Sequence, residues 1–178
     1  MDVRYINPFI TAVQSFFDSM LGELVVISKP ALKTSSDPHI DVSALIEFSG
    51  DAAGCVMLCF PKRAAAKIAS KLAGRSVSTL ELTALSDALG EMANMVAGQA
   101  KAKLPQTGVS ISLPRVVLCA DDIESISEQS PVIVLRCDSG LGRFSVEVMM
   151  HPYTEPIESD ESREFDNNTD IKEMLISS

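Results

Sequence analysis

The chain is 178 residues long, room for one domain with a substantial core, and its 46% apolar and 22% charged residues are ordinary for a folded chain in water. The net charge of −9 is uneven: residues 152–178 carry eight acids against Arg163 and Lys172, which leaves the first 151 residues at −3 with no basic face for nucleic acid. No apolar run approaches the roughly 20 residues of a membrane helix, and the opening MDVRYINPF has neither region of a secretory signal, so a cytoplasmic setting with no membrane partner is expected.

A helical period runs through 6–22 (INPFITAVQSFFDSMLG), with Phe9, Val13, Phe16, Phe17 and Met20 on one side. Asn7 is placed to cap it, Pro8 suits the first helical position, and Gly22 suits its end. LVVISKPAL at 24–32 predicts a strand at a sheet edge, because Pro30 has no N–H to give a neighbour. VSALIEFSGDAAGCVMLCFP at 42–61 predicts a hairpin turning through Ser49-Gly50-Asp51, and KRAAAKIASKLAG a short amphipathic helix stopped by Gly74. Thr79, with Glu81 and Leu82, opens a long helix reaching about Leu104, ahead of Pro105. VSISLPRVVLCA, broken at Pro114, predicts further strand, followed by a polar loop from Asp121 to Ser130. PVIVLRCDSGLGRFSVEVMMHP at 131–152 is a second hairpin, turning through Asp138-Ser139-Gly140.

Residues 6–61 and 79–152 share an order of helix, strand and hairpin, and both hairpins exit at a proline (Pro61, Pro152). The expected fold is α+β: an antiparallel sheet with long helices packed on one face, built as a pseudo-repeat of two α-β-β-β halves. That domain spans 1–153. Residues 154–178 form an acidic tail whose ESDESREFDNN run is too polar to pack.

The four cysteines, Cys55, Cys59, Cys119 and Cys137, sit in strand-like segments and read as buried free thiols in a reducing compartment. There is no CxxC, and His39 and His151 are the only histidines, so no zinc site is expected. Ser139 in DSGLG belongs to a turn and has no partnered histidine. The glycines of SGLGR do not precede a helix, which excludes a phosphate loop there.

The long helix carries the informative pattern. In ALSDALGEMANMVAGQAK, residues 87, 91, 94, 98 and 101 advance by four, three, four and three, so Asp87, Glu91, Asn94, Gly98 and Lys101 share one face. Leu85, Leu89, Met92 and Val96 project toward the sheet. A merely wet face favours Glu, Lys and Gln, whereas Asn and Gly in mid-helix cost about 0.5–1 kcal/mol each against alanine. Small residues, Gly90, Ala93, Ala97 and Gly98, leave room for another surface to come close.

With the element order, Asp87-xxx-Glu91-xx-Asn94 resembles the CheC/CheX group of chemotaxis phosphatases, which remove phosphate from the response regulator CheY. The resemblance covers roughly residues 5–152, with Pro114 as the family's downstream proline, slightly nearer than usual. NPFITAVQSFFDSM has no acid–xx–Asn pair, so the single motif is similar to the CheX branch. The resemblance implies a homodimer formed through the sheets and a phosphorylated CheY-like partner that brings its own Mg²⁺ and active-site lysine, with no metal or cofactor held by this chain. It casts Asn94 as the amide that holds the attacking water in line with phosphorus, the role a glutamine plays in small GTPases. Glu91, one turn away, would meet the partner's lysine. Gly90, Gly98 and Lys101 would lie against the partner, and Asp87 is either a rim contact or helix solvation. The alternative is a non-catalytic dimeric adaptor in chemotaxis or flagellar signalling, which has no need for both Glu91 and Asn94.

Overall fold

The computed structural model describes residues 3–34, 40–118 and 131–152, so the expected tail, the polar loop over 121–130, Cys119 and His39 lie outside the described residues. Helix α1 (Asn7–Phe16) continues into a single π turn over Phe17–Leu21 and stops at Gly22, whose φ of 60° completes a left-handed cap. Strands β1 (Val25–Ile27) and β2 (Ala31–Leu32) flank Pro30. The first hairpin is β3 (Val42–Gly50) and β4 (Ala52–Phe60), followed by α2 (Lys62–Ala73). The long helix α3 (Leu82–Lys101) leads to β5 (Val109–Ile111) and β6 (Arg115–Leu118), which flank Pro114. The second hairpin is β7 (Ile133–Ser139) and β8 (Gly142–Pro152).

Two helix starts differ from expectation. Asn7 is the first residue of α1 and Ile6 takes the cap position, with no side chain bonded to the free N–H groups. Thr79 ends a 3-10 turn, its Oγ1 donating to the Ser76 carbonyl, and α3 begins three residues later behind Glu81. Pro8 sets the entry of α1, and tertiary packing holds both helices without side-chain caps.

The strands form one antiparallel sheet in the order β1-β7-β8-β4-β3-β5, with β2 also on β7 and β6 also on β3. The two halves are thus interlocked: β1 and β2 pair with the second hairpin, and β5 and β6 with the first. A shift of 84 residues carries β1 onto β5, β2 onto β6 and Pro30 onto Pro114, and the ladders follow it. Val25 opposite Ser139 becomes Val109 opposite Gly50, and Ala31 opposite Val134 becomes Arg115 opposite Leu45. At the centre, the Val56–Val148 pair exchanges with Leu58–Val146, so an approximate two-fold runs between β4 and β8. Both breaks fall on the outer strands, where a missing N–H leaves no ladder bond unmade.

Helices α1, α2 and α3 cover one face. Val42, Ala44, Ile46 and Phe48 from β3, with Val56, Leu58 and Phe60 from β4, meet Phe9, Val13, Phe16, Leu89, Met92 and Val96. Each such side chain taken fully from water is worth about 1.5–3 kcal/mol. Phe144 stacks between Phe17 at 5.1 Å and Phe60 at 5.4 Å, which ties the π turn and β4 to β8. On the other face Leu45, Cys55, Met57 and Cys59 form a smaller cluster beside an ion pair from Lys33 to buried Glu147 at 2.8 Å. Cys55, Cys59 and Cys137 are free and buried. Burial, aided by Glu47 and Glu147, pushes the Cys55 thiol up to about 11; burial alone pushes Cys137 up to about 12.

Candidate active site

Helix α3 lies between α1 and α2 and over β3, β5 and β6, so three sides of it are occupied and one is left to solvent. Leu85, Leu89, Met92, Ala93, Val96, Ala97 and Ala100 fill the occupied sides. Asp87, Glu91 and Asn94 are exposed, while Gly98 and Lys101 are half-buried further along. The expected stripe is therefore the open side of a helix whose other sides are packed into the core. Its rigidity comes from what lies beneath: leucine, methionine and valine side chains locked into the sheet cannot let the helix roll.

Neither Glu91 nor Asn94 has a hydrogen bond or ion pair among the described residues. Their Cα atoms stand about 4.5 Å apart along the axis, with side chains emerging about one turn apart on the same face. An acid that accepts and an amide that both donates and accepts thus project together, with no internal partner to satisfy either. Asp87 stands about 6 Å before Glu91, and Lys101 about 10 Å beyond Asn94, measured along the axis. Among the described residues no three of His, Cys, Asp or Glu gather as metal ligands, and no helix is long and apolar enough to cross a membrane.

The two glycines separate. A Cβ on Gly98 would meet nothing within 4 Å, so the backbone there is an open patch. Gly90 is buried: a Cβ on it would lie 3.5 Å from Pro114 Cγ and 3.7 Å from Val116 Cγ2. The surface that comes close to Gly90 is the protein's own bend between β5 and β6, which corrects its expected place against a partner. Ala93 and Ala97 are buried as well. The reason is angular: Gly90 lies about 40° from Asn94 and about 60° from Asp87 around the axis, on the side that meets the bend, which turns it from the open side to the flank. Sequence reading supplied Pro114 as a family proline without showing what it touches. The signal was its place at the break of the second strand pair, matching Pro30 in the first.

The fold agrees with comparisons to known proteins. The family described as chemotaxis phosphatase CheX matches residues 42–138. The CheY-P phosphatase CheX of Thermotoga maritima is 31% identical over 120 residues, 66% of this chain and 77% of that protein. The crystal structure of a chemotaxis protein CheX from Desulfovibrio desulfuricans superposes with a TM-score of 0.69 at 25% identity, covering 83% of this chain and 99% of that one. The same fold is found in the CheX-CheY-BeF3-Mg+2 complex from Borrelia burgdorferi, at a TM-score of 0.68 and 21% identity over 83% and 97% of the two chains. An antiparallel sheet covered on one face by helices is thus the fold of the chemotaxis phosphatases it resembles. The chain belongs to the CheX family.

Proposed function

We propose that this chain hydrolyses the aspartyl phosphate of a CheY-like response regulator in the cytoplasm, with Asn94 holding the attacking water and Glu91 meeting the partner's active-site lysine. The observation that carries this is the exposed, internally unpartnered Glu91–Asn94 pair on the one open side of α3, in a chain of the CheX family. An acyl phosphate is already activated, so the barrier that remains is mostly the placing of water behind phosphorus. The Asn94 carbonyl accepts one water proton and turns the oxygen lone pair toward phosphorus. Glu91 forms a charge-assisted contact that sets the helix in register. The open backbone at Gly98 lets the stripe enter a recessed site, and Lys101 and Asp87 border it. The partner supplies Mg²⁺ and the lysine. The working unit is a homodimer joined through the sheets, whose outer strands carry exposed Val26, Leu32 and Leu118.

The test is phosphate release from an acyl-phosphorylated CheY-like regulator of the same cell, with and without this protein. A rate above the regulator's own decay that needs Asn94 supports the reading. Binding without any gain in rate would favour the adaptor.

A further inference from the structure

We propose that Leu113 is the apolar anchor that docks the phosphorylated receiver domain beside the stripe, setting affinity and leaving the chemical step to Glu91 and Asn94; this rests on the phosphatase reading above. Leu113 is 88% exposed, the most exposed large hydrophobic side chain among the described residues. It does not hang on a loose loop. The Ser112 N–H donates to the Glu47 carbonyl at 2.9 Å, Ser112 Oγ accepts from the Glu47 N–H at 3.0 Å, and the same hydroxyl donates to the Leu113 carbonyl at 2.9 Å. On the other side Pro114 packs against Gly90. Both neighbours are pinned, so the backbone at Leu113 is already in place and only the side chain has freedom to lose on binding. Glu91 follows Gly90 directly and Asn94 lies one turn on, which puts Leu113 at the rim of the stripe.

The other half of the fold supplies an internal control. The shift of 84 residues carries Ser112-Leu113-Pro114 onto Ser28-Lys29-Pro30. The bend there is built alike: the Ser28 N–H donates to the Arg136 carbonyl at 2.9 Å, and Ser28 Oγ donates to the Lys29 carbonyl at 3.5 Å. Its tip is a lysine, and the same shift places Asn7 and Ile10 where the second half has Glu91 and Asn94. The bend therefore does not require an apolar tip. Leucine stands there only in the half that carries the acid–amide pair, where a partner surface is brought close. The occupant that fits is an apolar patch of the receiver domain next to its acyl phosphate, since a single exposed leucine flanked by a polar working edge has the composition of an interface core and its rim.

The experiment compares wild type, Leu113→Lys and Leu113→Met in steady-state hydrolysis of the acyl-phosphorylated regulator. The same three proteins are titrated against that regulator in its beryllofluoride form. Leu113→Lys borrows the residue already tolerated at the equivalent bend, so its melting temperature stays at the wild-type value. KM and Kd rise about tenfold to hundredfold, the loss expected for one leucine side chain no longer buried, while kcat stays within about twofold. Leu113→Met keeps wild-type affinity. Unchanged Kd in Leu113→Lys overturns the proposal, as does a drop in melting temperature or a loss of self-association with KM intact, which would assign the side chain to the fold or to contact between copies. If wild type releases no phosphate, the phosphatase reading fails, and the titration still decides the role of Leu113.

Discussion

Replacing Asn94 by alanine moves activity and stability in opposite directions. The side chain is exposed and has no hydrogen bond among the described residues, so its removal opens no cavity and orphans no buried group. Alanine is the better residue in a helix interior, by up to about 0.7 kcal/mol. For a chain of this size that is worth an increase of roughly 1–3 °C in melting temperature. Hydrolysis falls by about 10²–10³, the cost of deleting one positioned polar group at a reacting centre, equivalent to about 2.7–4 kcal/mol of transition-state stabilisation. The assay pairs a thermal melt with phosphate release at saturating phosphorylated regulator, so that the loss is read in kcat. Binding of the beryllofluoride form should survive. A variant within a factor of two of wild type refutes the water-positioning role, and a melting temperature several degrees lower refutes the claim that Asn94 has no part in the fold.

Charge reversal at Glu91→Lys sets like charges face to face in the complex, at a cost of several kcal/mol, and should abolish binding of the phosphoryl mimic, while Glu91→Gln is milder; equal binding by both would place the stripe outside the interface. Gly98→Ala adds a Cβ that meets nothing within 4 Å, so it should stabilise the helix by about 0.4–1 kcal/mol and, by filling the open patch, lower kcat/KM; unchanged kcat/KM would remove Gly98 from the contact. The thiols give a pH test. Cys55 and Cys137 are raised from 9.0 to about 11 and about 12, so the unfolded chain ionises first as pH rises. Their contribution is fully present below pH 9 and is lost as pH climbs through 11 to 12. Peptide-resolved alkylation at pH 8 should therefore be slow at Cys55, Cys59 and Cys137 in the native protein and fast after denaturation; rapid native labelling would contradict their burial.

The elements and the stripe were legible because both are local. Alternation in VSALIEFSG and in VEVMM marks strands, and steps of three and four from Asp87 to Lys101 mark one side of a helix, since each depends only on the repeat of the backbone itself. Proline breaks and paired hairpins suggested two like halves, and the sheet agrees with that order. Helix starts were less legible: Asn7 and Thr79 have the chemistry of caps, yet the sheet beneath decides where each helix begins. Chain order alone does not say which strand lies beside which. Exchange of the outer strands between halves is a long-range pairing, chosen by which apolar faces close over Phe144 and Met92 together. The same closure brings Pro114 onto Gly90, 24 positions earlier in the chain. It turns that glycine inward and leaves Leu113 standing beside Glu91. Local periodicity sets which residues face out; the packing of distant segments sets what they face.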